Sequence, residues 1–172
     1  SNYKKEQTKR AYEILKRQGT PFVIHQPSYS MLNRWIEEDG LKDYLFEKGI
    51  GCIAFSPLAQ GILTGKYLNG VPEDSRIGSG KSPYLHRSDL TEDKLEIVRK
   101  LDGIAKDRGQ SLTQMALSWV LRDGRVTSVL IGASRPEQIL ENIKALDNIY
   151  FTREECRRID FILSGKGMEY QF

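Results

Sequence analysis

The residues best suited to chemistry lie in one stretch, Thr127 to Asn142, TSVLIGASRPEQILEN, with Ser134 and Arg135 at its centre. It begins as an apolar, β-branched run (Val126, Val129, Leu130, Ile131) with the pattern of a buried strand. It breaks at Gly132-Ala133, two residues small enough to let a ligand approach the backbone. It restarts at Ser134, which is expected to form a capping box with Glu137, and Pro136 falls in the first helical turn. Such a helix start presents free backbone N–H groups and a positive dipole end, which suit a phosphate. Arg135 adds a planar, permanently charged fork at the same place. An ordinary βα loop has the same spacing, so this stretch alone decides nothing.

Other chemistries have little to draw on. His25 and His86 are the only histidines, and no CxxC or Cys/His cluster points to a metal. Cys52 lies in an apolar strand and Cys156 in a charged helix, which reads as two reduced thiols in a cytoplasmic protein. The 172 residues suffice for one domain with a sizeable core, and 39% apolar with 28% charged residues is a globular composition. The net charge of +3 is small, with the basic residues scattered among acids along helices, so a nucleic-acid partner is not expected. No apolar run approaches the ~20 residues of a membrane span. Ser1-Asn2-Tyr3-Lys4-Lys5 leads into a charged helix and not a signal peptide.

The elements that must position these residues follow in order. A helix from about Lys4 to Gln18 turns Thr8, Ala11, Tyr12 and Leu15 to one face and ends at Gly19-Thr20-Pro21. Phe22–His25 is a short strand, closed by Gln26-Pro27. A loop with Tyr29, Met31 and Trp35 leads to a helix over Leu41–Lys48, and Gly51–Phe55 is the next strand. Thr64 to Leu90 is rich in Gly, Ser, Pro and charge; a connection that long inside a compact domain is functional or disordered. Thr91 caps a helix that Gly109 ends, Ser111 with Gln114 opens another, and Thr152 with Glu155 caps a last one ending near Ser164-Gly165. Strands alternating with helices imply right-handed βαβ units and a parallel sheet. Ser1-Asn2, Gln26, Ser56 to Gly61 and Gly132 to Arg135 all fall just past carboxyl ends of strands, where α/β folds bind ligands. The expectation is an α/β chain that is the C-terminal half of a (β/α)8 TIM barrel over residues 1–172, its first half absent.

These segments resemble the aldo-keto reductase superfamily, (β/α)8 barrels that reduce carbonyls with NADPH. Ser1-Asn2 resembles the tail of the family's GxSN segment, and Gln26 sits where the family places a strand-end glutamine. FSPLAQGILTGKY (Phe55 to Tyr67) is similar to its cofactor loop, and IGASRPEQILEN (Ile131 to Asn142) to its final phosphate- and adenine-binding segment. HQPSYSMLNRW, GCIAFSPLAQG and RGQSLTQMALSWVLRD resemble the branch of bacterial L-glyceraldehyde-3-phosphate reductases most, with voltage-gated potassium channel β subunits as the next branch.

The resemblance implies an NADPH (or NADP) site. Ser1, Asn2 and Gln26 would hydrogen-bond the nicotinamide carboxamide, and Phe55 would stack on its ring; a core aromatic at a strand end is the alternative for Phe55. Ser56, Pro57, Leu58, Gln60 and Gly61 would line the pyrophosphate, with Lys66 and Arg76 reaching over from the long loop unless they are solvated surface charges. Ser134, Arg135 and Gln138 would meet the 2′-phosphoribose, and Glu141 and Asn142 the adenine. Gly132 stands where many members carry a basic residue, which puts the weight of 2′-phosphate recognition on Arg135. The family's Asp, Tyr, Lys and His tetrad comes from the first half of the barrel, so no catalytic residue is expected in this chain. His25 ends a strand but, next to Gln26 in an alternating strand, reads as a structural residue. The substrate implied is a small aldehyde, and the alternative function is a cofactor-sensing regulatory subunit. Open edge strands further predict a chain that is sticky or homo-oligomeric.

Overall fold

A computed structural model of the chain describes residues 2–80 and 83–164. Ser1 and Gly165 lie outside the described residues. Three strands, β1 (Ile24–His25), β2 (Gly51–Ala54) and β3 (Ser128–Val129), form one parallel sheet in the order β1-β2-β3. The register pairs Ile24 with Gly51, His25 with Cys52, Ile53 with Ser128 and Ala54 with Val129. Paired residues of parallel strands point the same way, so the register sorts the side chains onto two faces. His25, Cys52 and Ala54 are buried, with the half-buried Val129 beside them. Ile24 and Leu130, on the other face, are 51% and 44% exposed.

The sequence reading expected longer strands and a wholly buried run from Val126 to Ile131. The structure corrects this: the helices cover one face of the sheet only. Ladder partners extend β3 no further than Val129, although Thr127 N and Leu130 N still donate to Cys52 O and Ala54 O at 2.8 Å.

Helices α1 (Lys5–Arg17), α2 (Trp35–Glu38), α3 (Leu41–Glu47), α4 (Glu92–Asp107), α5 (Leu112–Leu121), α6 (Pro136–Ile143) and α7 (Arg153–Leu163) supply the rest. The short α2 occupies what the sequence suggested was loop. Three expected caps are present. Thr91 Oγ1 accepts from Lys94 N at 3.3 Å, and Ser111 and Thr152 exchange reciprocal bonds with Gln114 and Glu155. Each such cap contributes about 1 kcal/mol. The core runs through Leu41, Leu45, Cys52, Leu101, Met115, Trp119 and Ile159. Arg108 fixes the corner between α4 and α5. Its guanidinium lies 3.7 Å from the Phe151 ring centroid and donates to Glu155, Asn148 O, Tyr150 O and Gln110.

A partly buried charge network ties α2 and α3 to the end of α5 and to α7. Glu37 accepts hydrogen bonds from Tyr29 Oη, from Arg122 Nη2 at 2.8 Å and from Arg34 Nε at 2.8 Å. Arg34 also reaches Asp160 at 2.6 Å, and Lys42 joins Glu37 to Asp123. Burial alone would raise the pKa of Glu37, but the bonds from Tyr29, Arg122 and Arg34 outweigh it and hold the carboxyl at about 2.

A depressed folded pKa stabilises the fold fully above the ordinary value of 4.5, and that contribution is lost as the pH falls through about 2. Glu37→Gln should therefore destabilise the protein by about 3 kcal/mol at neutral pH, the scale for removing one partner of a buried pair. Urea midpoints of the two proteins should converge on acidification. A deficit independent of pH would show that the ionised carboxylate contributes nothing.

Candidate functional site

Three segments leave the carboxyl ends of the strands on one side and meet. At β1, Asn2 Oδ1 accepts from Ser28 N at 2.8 Å, Phe55 N donates to Pro27 O at 3.0 Å, and Tyr29 N to Phe55 O at 3.2 Å. These bonds hold Asn2, Gln26 to Ser28 and Phe55 at the adjoining ends of β1 and β2. Gln26 is exposed, whereas its neighbour His25 is turned to the helix layer and only 5% exposed. Neither ring nitrogen of His25 has a hydrogen-bond partner among the described residues, and burial lowers its pKa. A neutral packing residue results.

The second segment is the turn after β2. Ser56, Ala59 and Gln60 adopt left-handed φ values of 55°, 47° and 59°, followed by Gly61 at 97°. A non-glycine residue in that region costs on the order of 1 kcal/mol, and such strain gathers where a backbone is shaped for a ligand. The turn is locked by Gln60, whose Nε2 donates to Ser56 Oγ at 3.1 Å and whose Oε1 accepts from Arg76 of the long loop. Lys66 folds back over Gly61, where an added Cβ would stand 3.2 Å from its Cε.

The third segment runs from Leu130 into α6. Here the expected cap is corrected. Arg135 and not Ser134 is the N-cap, and the residue reaching back is Gln138 and not Glu137. Gln138 Oε1 accepts from Ser134 N at 2.8 Å. The cause is Pro136, which drives the residue before it to extended backbone, φ −144° and ψ 145° at Arg135. Pro136 lacks an N–H and Ser134 N is occupied, so fewer donors stand free at this helix start than the sequence suggested. Arg135 itself is exposed and makes no ion pair with any described residue.

Between the turn, the long loop and α6 lies a cleft of about 1440 Å³. That exceeds the ~300–1,000 Å³ of pockets for drug-sized ligands and leaves room for an extended one. At its α6 wall, Asn142 is only 7% exposed and its side-chain amide has no hydrogen-bond partner among the described residues. Glu141 beside it is held by Ser111 and Gln114, each 2.8 Å from Oε1. Among the described residues no group of three His, Cys, Asp or Glu could hold a metal ion.

The profile of the Aldo/keto reductase family matches residues 1–164 of the chain. The chain belongs to the aldo/keto reductase family. It is 54% identical over 162 residues to an L-glyceraldehyde 3-phosphate reductase of Escherichia coli K12, which covers 93% of this chain and 47% of that protein. It is 38% identical over 153 residues to a putative voltage-gated potassium channel subunit beta of Schizosaccharomyces pombe, covering 87% of this chain and 44% of that one. The chain thus spans about half the length of the curated relatives it matches.

In this aldo/keto reductase chain the cleft gathers every predicted residue of the two loops, from Ser56 to Arg76 and from Gly132 to Asn142. Asn2, Gln26 and Phe55 stand at the strand ends outside its lining. The sequence reading missed Asp74 and Tyr84, which line the cleft from the long loop, and Thr113 from the first turn of α5. The loop's length was a signal for the first two. Nothing in the local sequence marks Thr113.

The strained turn makes a direct prediction. Ala59→Gly, at φ 47°, should leave stability unchanged or raise it by up to about 1 kcal/mol, whereas Gly61→Ala, at φ 97° and against Lys66, should lower it by ~1 kcal/mol or more. Thermal melting of both variants checks this. Equal losses would show that the turn stores no strain.

Proposed function

We propose that this chain is the cofactor-binding half of a (β/α)8 barrel that reduces small aldehydes, of the glyceraldehyde 3-phosphate or methylglyoxal kind, with NADPH. The observation that carries the reading is the convergence, on one long cleft at the strand ends, of a strained small-residue turn and an arginine that pairs with no described residue. The residues present fit a dinucleotide. Asn142, 7% exposed, offers an amide at the cleft wall with no hydrogen-bond partner among the described residues, and Arg135 a guanidinium with no ion pair among them, beside a helix start.

In this reading Asn2 and Gln26, with Ser1, hold the carboxamide and Phe55 supports the ring. Ser56, Leu58 and Gly61 cradle the pyrophosphate with Lys66 and Arg76, and Ser134, Arg135 and Gln138 take the 2′-phosphoribose. When bound, the nicotinamide supplies a hydride to the carbonyl carbon. The proton is left to residues outside this chain, as the family resemblance implies; Lys66 and Tyr84 both line the cleft, but Tyr84 is 77% exposed and not held in a desolvated site. A regulatory subunit that senses cofactor is the second reading, favoured by the similarity to potassium channel subunits. The higher identity to the reductase favours the first. No helix of the described residues is long and apolar enough to cross a membrane, which suits the cytoplasm proposed here.

Two measurements test this. The 172-residue chain alone should not oxidise NADPH with glyceraldehyde, while the intact protein should; turnover by the chain would place the proton donor within it. Arg135→Ala in the intact protein should weaken NADPH binding and barely move NADH. A 2′-phosphate carries ~1.5–2 negative charges, and a charge-assisted hydrogen bond contributes ~1.5–3 kcal/mol. That is a loss of roughly ten- to a hundredfold. Equal losses for the two cofactors would assign Arg135 to the ribose or adenine.

A further inference from the structure

A second cavity, of about 560 Å³, lies between the chain that leaves the strained turn and helix α4. That is the size of a pocket for a small molecule. Among the described residues, Leu68 is the one apolar side chain of its lining, and Lys66, Arg99 and Lys106 face Asp102 as the only acid. An excess of cations in a pocket with little apolar surface suits a small polyanion.

These cations are loosely committed. Arg99 and Lys106 share one face of α4, about 10 Å apart along its axis. Lys106 pairs with Asp102 at 2.7 Å, but its side chain is 74% exposed, and a surface pair of this kind yields readily. Arg99 holds Glu92 and Glu96 through Nη1, which leaves Nη2 and Nε without a bond among the described residues. Lys66 lines this cavity and the cofactor cleft alike. Its ammonium stands 3.3 Å from where a Cβ on Gly61 would be and 5.2 Å from the Tyr67 ring centroid. It makes no hydrogen bond or ion pair with a described residue.

We infer that this cavity is a regulatory site for a small polyanion, whose binding draws Lys66 out of the cofactor cleft. A flexible four-carbon stem carrying a point charge suits a residue that serves either cavity. Anion and cofactor then contend for one ammonium without sharing a site, so each weakens the other by the same factor. The coupling rests on the dinucleotide reading proposed above; the anion site does not.

Citrate is the probe, with ionic strength held constant by sodium chloride in every arm. Calorimetry of the intact protein should show citrate binding, and the double change Arg99→Ala with Lys106→Ala should abolish it. Both positions are solvent-facing on α4 and alanine is a good helix former, so the variant should fold. The NADPH dissociation constant, followed by protein fluorescence, should rise with citrate and level off at roughly five- to tenfold, below what one well-held charge-assisted hydrogen bond carries. The double variant should bind NADPH as the native protein does and ignore citrate. Lys66→Met should weaken NADPH by a similar factor and leave citrate nothing further to remove. A rise without a plateau, or one that survives in the double variant, would mean direct competition inside the cofactor cleft and overturns the inference. Citrate binding that leaves NADPH affinity unchanged overturns the link through Lys66, and absence of citrate binding overturns the site. Should the native protein bind citrate but no NADPH, the proposed function fails, and the double variant still decides the anion site.

Discussion

The rest of the chain depends on the two-faced register of its parallel sheet. Parallel pairing commits Ile24, Gly51, Ile53 and Ser128 to one face and His25, Cys52, Ala54 and Val129 to the other. Helices lie only against the second set, and burial there raises the Cys52 thiol to about 11 and keeps His25 neutral. Titratable groups on that face are thereby withdrawn from chemistry. Gln26, Phe55 and Leu130 fall on the open face or at its rim, so the backbone parity that builds the core also selects which strand-end residues can meet a ligand.

Around this sheet the polar networks divide by task. The Glu37 cluster and the Arg108 corner are satisfied on all sides and hold the helices in place. Ser118 Oγ donates to Ala145 O at 2.7 Å and accepts from Gln110, binding the 3-10 turn Lys144–Asn148 that follows α6 to α5. The cleft is the reverse. Three left-handed non-glycine residues are unfavourable in the protein by itself, and the Asn142 amide at the cleft wall has no hydrogen-bond partner among the described residues. A ligand that fits both finds them already in place and requires neither to rearrange. A preorganised site takes this form.

Local signals in the sequence were read correctly where the competing choices were few. Ser111 with Gln114 and Thr152 with Glu155 each have one acceptor at the right spacing, and both capping boxes form. At α6 two candidates, Glu137 and Gln138, stand side by side, and Pro136 decides between them by forcing Arg135 to extended backbone. The apolar runs of β1 and β3 carry the pattern of strands covered on both faces, so periodicity alone could not show that Ile24 and Leu130 are open here. The Glu37 network was illegible for another reason: Arg34, Lys42, Arg122 and Asp160 are far apart in the chain, and only the packed helices bring them together.

Charge in the cleft shows why placement matters more than sum. Among the described residues of the lining, Lys66, Arg76 and Arg135 are matched in number by Asp74, Glu137 and Glu141. Selectivity must come from which charges are already committed. Glu141 is engaged by Ser111 and Gln114, and Arg76 by Gln60, while Arg135 has no partner among the described residues and sits at the positive end of α6. A guanidinium in that position gains a full set of charge-assisted bonds with a phosphomonoester without first breaking any within the protein. Arg76 must instead give up or share its bond to Gln60, which offsets part of what its charge contributes. The discrimination between a phosphorylated and an unphosphorylated ribose is thereby concentrated on one side chain, although three cations line the same cleft.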